Sequence, residues 1–146
     1  MSQSRFIALN AALLAVATHG GDHVATLDTQ QNLVFANAGD ADTEYSHADA
    51  VKQCADFRLG DKDDWRLPTV QELFATVDHA RHDPAIDPEA FPATESNWYW
   101  TSTPCAWRPG SAAWCVLFGL GNVYYGDHDD ECFVRAVRVA SPAAGQ

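Results

Sequence analysis

The sequence predicts an α+β protein, with two short helices in the first half and a twisted antiparallel sheet drawn mostly from the second. Three observations predict it. Ser46 and Thr69 each stand where a helix N-cap belongs, and Thr69-Val70-Gln71-Glu72 reads as a capping box. From Trp98 onward the apolar residues recur with period two. Turn-forming stretches such as Gly119-Leu120-Gly121-Asn122 separate these runs, as in strands joined by hairpins. At 146 residues, 47% hydrophobic and 20% charged, the chain suits a single domain over 1–146 with a core of its own.

Taken in order, Phe6 to Val16 is mostly apolar and reads as strand or buried structure. His23 to Leu27 and Leu33 to Ala36 form a hairpin around the polar turn Asp28 to Asn32. Ala38 to Tyr45 is an acidic, turn-rich stretch. Ser46 opens the first helix, which Gly60 ends; Ala50, Cys54 and Phe57 fall at helical spacing, as do Ala48, Val51 and Ala55. Asp61, Asp63 and Asp64 form an exposed turn. Trp65-Arg66-Leu67-Pro68-Thr69 is then a fixed joint: Pro68 lacks an N–H and holds Leu67 extended, and Thr69 starts the second helix. That helix runs to about Val77, with Leu73, Phe74 and Val77 as its apolar face. Residues 78–97 carry Pro84, Pro88 and Pro92 and form a long ordered loop held by Ile86 and Phe91. Strands follow at Trp98–Thr103, Ala113–Phe118 (Trp114, Val116 and Phe118 on one face) and Val123–Tyr125, then an acidic loop over 126–131. Cys132 to Val139 closes as a strand, and 140–146 is a loose tail. Arg135 and Arg138 on that strand are expected to pair with carboxylates.

The net charge of −11 argues against nucleic acid and anionic membrane as partners. No apolar run is long enough to span a bilayer. Cys54, Cys105, Cys115 and Cys132 make no CxxC pair or zinc spacing. No convincing signal peptide is present, so reduced thiols and a cytoplasmic or phage-particle location are expected; Cys115 and Cys132 lie on strands that could bring them together.

Several blocks occur together and in order: Asp64-Trp65-Arg66-Leu67-Pro68-Thr69, Glu72-Leu73, Pro84-Ala85-Ile86-Asp87, Phe91-Pro92, Tyr99-Trp100-Thr101-Ser102-Thr103, Trp114-Cys115-Val116-Leu117-Phe118 and Val134-Arg135-Ala136-Val137-Arg138. Over about residues 23–139 the chain thereby resembles a bacterial and phage C-type-lectin-like family, that of the C-terminal domain of collagen-like bacterial adhesins. The resemblance implies a C-type-lectin-like fold with adjacent N- and C-terminal strands, and a ligand-binding role in an adhesin or phage protein. The Glu-Pro-Asn, Gln-Pro-Asp and Trp-Asn-Asp blocks of calcium-dependent sugar-binding lectins are missing, so calcium-dependent sugar binding does not carry over.

Some proteins of this fold are variable targets of diversity-generating retroelements, which scramble the adenines of Asn codons near the chain end. An AAC codon so altered never yields Trp, Lys, Glu, Gln or Met. Between the frame residues Trp114, Val116, Phe118, Gly121, Val123, Val134, Arg135, Val137 and Arg138, only Glu131 belongs to that excluded set.

The tract Tyr124 to Glu131 is the candidate binding surface, with Trp107 and Arg108 bordering it. Its ligand-binding residues are Trp107, Tyr124, Tyr125, Asp127, His128, Asp129 and Asp130, because tyrosines offer rigid contact area with a polar tip and the acids offer acceptors. The expected partner is a protein or surface glycan, bound without cofactor or metal; the acidic tract lacks calcium-loop spacing. Trp65, Arg66, Leu67, Pro68, Trp100 and Trp114 are read as structural. No nucleophile–base constellation can be assembled, so no catalytic residue is assigned. The different-class alternative is a thiol-dependent oxidoreductase using Cys115 and Cys132, related in fold to the formylglycine-generating oxidases.

Overall fold

The computed structural model describes residues 5–16, 22–37, 43–92 and 94–140. The elements are β1 (Phe6–Leu9), β2 (Ala25–Asp28), β3 (Leu33–Ala36), α1 (His47–Asp56), α2 (Val70–Phe74), β4 (Trp98–Pro104), β5 (Ala112–Leu117), β6 (Asn122–Asp127) and β7 (Val137–Val139). They build an α+β fold of the C-type-lectin-like kind, with two antiparallel sheets ordered β1-β2-β3-β7 and β4-β5-β6.

The β2–β3 hairpin forms where expected, with Leu27 opposite Val34 and Asn32 at φ 57° in the turn. Its turn begins one residue later than the composition suggested. Asp28 is still in the ladder, opposite Leu33 and Phe6, and is buried. It can be buried because Arg5 donates to both carboxylate oxygens at 2.9 and 2.7 Å, joined by Gln31 Nε2 and the Gln30 N–H. The segment from Phe6 to Val16 is strand only as far as Leu9. The Asn10 carboxamide accepts N–H bonds from Ala12 and Leu14 and turns the chain, leaving Leu14 64% exposed rather than buried.

Ser46 caps α1, its Oγ accepting from the Asp49 N–H. The helix stops at Asp56 because Phe57 is extended (ψ 139°), so Gly60 is not the terminator. Gly60 lies instead at φ 64° in the following turn, where Leu59 and Lys62 bridge. Only Ala50 and Cys54 of α1 are buried; Ala48, Val51 and Ala55 face out. A ten-residue helix lying on one layer has a single inward stripe, whatever second stripe its apolar spacing offers. Burial pushes the Cys54 thiol up to about 12.

The Trp65–Thr69 joint is built as its residues suggest. Trp65, Leu67 and Pro68 are buried, and Trp65 packs edge-on against Phe57 at 5.1 Å. Arg66 exchanges both backbone bonds with Val137 of β7, while its guanidinium grips both oxygens of Glu72 at 2.8 and 3.0 Å. Glu72 also completes the capping box with Thr69. α2 ends at Phe74, short of Val77, and Phe74 is 38% exposed while Leu73 takes the inward place. In the 78–97 loop Ile86 and Phe91 are buried as anticipated, Phe91 meeting Phe6 and Phe35 edge-on.

The C-terminal strand is shorter than its pattern implied. Cys132 bridges Tyr45, Phe133 runs parallel to Tyr99, and only at Val137 does the chain join β3 as β7. β7 thus lies beside β3, whereas β1 occupies the opposite edge of that sheet; the first and last strands are not neighbours. Arg138 pairs with Asp64 through bonds of 2.6 and 3.1 Å. Arg135 does not meet a carboxylate among the described residues. Residues 134–136 are irregular, so strand alternation does not direct it outward; its guanidinium lies over Phe91 (5.2 Å) and Tyr99 (5.5 Å) and donates to Thr94 Oγ1.

Two cores flank the second sheet. Trp100, Ala113 and Cys115 face Val34, Ala50, Cys54, Trp65 and Leu67. Tyr99, Val116 and Phe118 face Phe35, Leu73, Ile86 and Phe91. With both faces of β4 and β5 covered, β6 is the edge through which this sheet meets solvent.

Candidate functional site

β6 follows a tight turn in which Gly121 stands at φ 82°. A Cβ there would come within 2.8 Å of Val77 and 3.1 Å of His79, so the turn needs glycine twice over. The strand then runs to Asp127, and Gly126 and Asp127 belong to the ladder rather than to the acidic loop. Tyr124 pairs across with Cys115 and Tyr125 with Trp114. Neighbouring strand residues point to opposite faces. On an edge strand both rings can nevertheless lean past the backbone, and here their centroids are 4.7 Å apart. The contact extends both ways: Trp98 to Tyr124 at 6.0 Å, Tyr125 to Trp107 at 5.3 Å and Trp107 to Trp114 at 5.5 Å. Five rings form a ribbon over the sheet edge, with Tyr124 53% and Trp107 58% exposed. An Arg108–Asp127 ion pair of 2.8 Å ties the Trp107 loop to β6.

Behind Tyr124 opens a cleft of about 400 Å³, walled by Trp98, Tyr124, Tyr125, Asp130 and Glu131 and floored by Gly126, Cys115 and Cys132. Gly126 keeps the floor open: a Cβ would lie 3.3 Å from both Cys115 Sγ and the Trp100 ring. The two thiols are free and their sulfurs are 3.9 Å apart. The Cys132 hydrogen bond, then burial, then the charges of Cys132 and Asp130 push the Cys115 thiol far above its usual range. Asp130 shapes the acidic turn, its Oδ2 accepting from the Asp127 N–H at 3.0 Å. Glu131 and Asp129 are exposed.

His128 turns the other way. Its ring stacks on His47 at 4.5 Å, and His47 in turn meets Trp100 edge-on and approaches the Thr101 carbonyl at 3.1 Å. Of the residues singled out from the sequence, Trp107, Tyr124, Tyr125 and Asp127 come together, Asp130 lines the cleft, Asp129 sits on the turn, and His128 joins α1 instead. Trp114, expected to be purely structural, is half-buried and ends the ring ribbon. Trp98, Gly126 and His47 went unselected. Trp98 could have been found from period two, since it shares a sheet face with Trp100; nothing local marks His47.

The histidine stack has a pH signature. Burial lowers the His47 pKa, the Thr101 carbonyl pulls it back up, and the His128 charge lowers it further. The unfolded chain therefore binds more protons below the ordinary value of 6.5. This contribution to stability is present above that pH and is lost as pH falls beneath it. The melting temperature of the wild type is expected to drop between pH 7 and pH 5, with a shallower drop in His47→Gln; equal slopes would contradict it.

Among the described residues no three His, Cys, Asp or Glu side chains are arranged to hold a metal ion, and no helix is long and apolar enough to cross a membrane. The family model described as the Lcl C-terminal domain matches residues 24–138. No curated protein matches the chain.

Proposed function

Because the chain belongs to the Lcl C-terminal domain family, a C-type-lectin-like family of phage and bacterial proteins, we propose that it is a non-enzymatic ligand-binding module of the receptor or adhesin kind. Its binding face is the ring ribbon with the cleft behind Tyr124, and its partner is a protein or a surface glycan. The observation that carries this reading is the exposed ring run along an edge strand: large rigid aromatic area is left in solvent, whereas Tyr99 and Trp100 of the same sheet are fully buried. The test is a screen of glycan and protein arrays with wild type beside Tyr124→Ala/Tyr125→Ala. The double variant is expected to keep its circular dichroism and to lose at least about tenfold in affinity for any ligand found. A ligand bound equally by both proteins would place the face elsewhere.

Positions open to retroelement diversification are, in this reading, the exposed or half-exposed ones: Leu117, Leu120, Tyr124, Tyr125, Gly126, Asp127, His128, Asp129 and Asp130. Cys115, Gly119 and Cys132 are buried and belong to the frame. A reverse-transcriptase gene beside an imperfect repeat of the last coding segment would support this; its absence would remove it.

A second reading, a thiol-dependent oxidoreductase, is favoured by the thiol pair at the cleft floor. The attacking species is a thiolate, and the Cys132 hydrogen bond, burial and the nearby Asp130 charge work against forming one at Cys115. We therefore place it second.

A further inference from the structure

We propose that the cleft behind Tyr124 receives an organic ammonium group, the charged end of an alkyl or methylated amine. This rests on the binding face proposed above and specifies what that face takes. The walls are the rings of Trp98, Tyr124 and Tyr125 and the carboxylates of Asp130 and Glu131, and among the described residues no basic side chain lines the cleft. Arg108, the cation on the same edge, is held by Asp127. Aromatic faces and carboxylates share one electrostatic preference, since a ring's quadrupole puts negative potential on its face. A cation crossing the net −11 surface gains at every wall, whereas a sulfated or phosphorylated group is repelled. The kind of cation follows from the apolar part of the lining. Sodium or calcium would give up hydration to rings and thiols that cannot replace it. A methylated ammonium is weakly hydrated and presents C–H groups to the rings, and the alkyl stem of a primary amine does the same while its head meets the carboxylates. At about 400 Å³ the cleft admits a lysine side chain or a small quaternary amine, but not a folded element.

The two sources of that chemistry, a lysine on a protein and a free quaternary amine, are separated by the probes. The full chain is titrated with tetramethylammonium chloride, with acetyl-Ala-Lys-Ala-amide, with the same peptide carrying norleucine for lysine, and with sodium chloride. The signals followed are the Trp98 indole and the Gly126 amide in ¹H–¹⁵N spectra. A saturable shift with tetramethylammonium or the lysine peptide, and none with norleucine or sodium, is expected; the tighter of the two names the source. Tyr124→Ala and Asp130→Asn/Glu131→Gln are each expected to weaken it at least about fivefold. Asn at position 130 retains an acceptor for the Asp127 N–H, so this pair keeps the turn. Changes that never saturate, or binding indifferent to both variants, overturn the proposal. An array ligand lost in Tyr124→Ala/Tyr125→Ala yet indifferent to Asp130→Asn/Glu131→Gln overturns the ammonium assignment and leaves the face standing. A ligand indifferent to all four changes brings down both.

Discussion

Trp100→Ala is expected to cost about 3–5 kcal/mol of folding stability, the range for deleting a fully buried large aromatic. That is a large share of the roughly 5–15 kcal/mol that holds a domain folded. Trp100 is fully buried in the first core, its indole N–H donates to the Tyr45 carbonyl at 2.7 Å, and its own backbone N–H bonds Phe133. Tyr45 also exchanges both backbone bonds with Cys132, so one side chain ties together the entry to α1, the Cys132 segment and the cleft floor. Removing it opens a cavity beneath Gly126 and takes the edge partner from His47. Urea unfolding followed by circular dichroism measures the loss. Trp100→Phe refills most of the volume but leaves the Tyr45 carbonyl with one bond fewer, and is expected to lose less. A loss under about 1 kcal/mol for the alanine variant would mean that Trp100 does not anchor the first core.

Asp28→Ala is expected to cost about 3 kcal/mol, the lower end for breaking a buried ion pair by removing one partner. The carboxylate side chain is fully buried, while Arg5 keeps 26% of its surface in water and can partly recover hydration. That asymmetry puts the estimate at the low end. The variant also strips acceptors from Gln31 and the Gln30 N–H and loosens Arg5 from the Ala75 carbonyl. The same group sets an acid limit. Burial works to raise the Asp28 pKa, but the Arg5 and Gln31 hydrogen bonds, the Arg5 charge and the Gln30 N–H outweigh it and hold it below the ordinary 3.8. Its contribution is present above that value and is lost as pH falls through the lowered folded pKa. Below about pH 4 the wild type should lose stability toward Asp28→Asn, which has no such titration. If the gap between the two stays constant down to pH 2, the ion pair is not what Asp28 contributes.

Most of the local architecture was legible because it is set by bonds between near neighbours. The Ser46 cap and the Thr69–Glu72 box each close over three residues. The β2–β3 hairpin follows from the polar turn between Asp28 and Leu33, and the WRLP joint follows from the restriction that Pro68 places on Leu67. Where the reading erred, the deciding partner was remote. Gly60 looked like a helix stop until Phe57, extended to pack on Trp65, ended α1 earlier. Arg135 reads as one half of an ion pair with a carboxylate, but the irregular run before β7 turns it over Phe91 and Tyr99 instead. For the binding tract, its composition marked Tyr124, Tyr125 and Trp107 as the aromatic share, but could not tell that His128 would face His47.

By itself, then, the sequence determined the α+β class, the family, the caps and the aromatic character of the last hairpin, because spacing and side-chain chemistry act over a few residues. Only the tertiary structure decided which rings meet, which thiols lie 3.9 Å apart and which carboxylates wall a cleft. The reason is register. A shift of one residue between β5 and β6 would send Tyr124 to the opposite face and close the ribbon, and that alignment is held by Gly121, by the two cores on either side of β5 and by Trp100 beneath them.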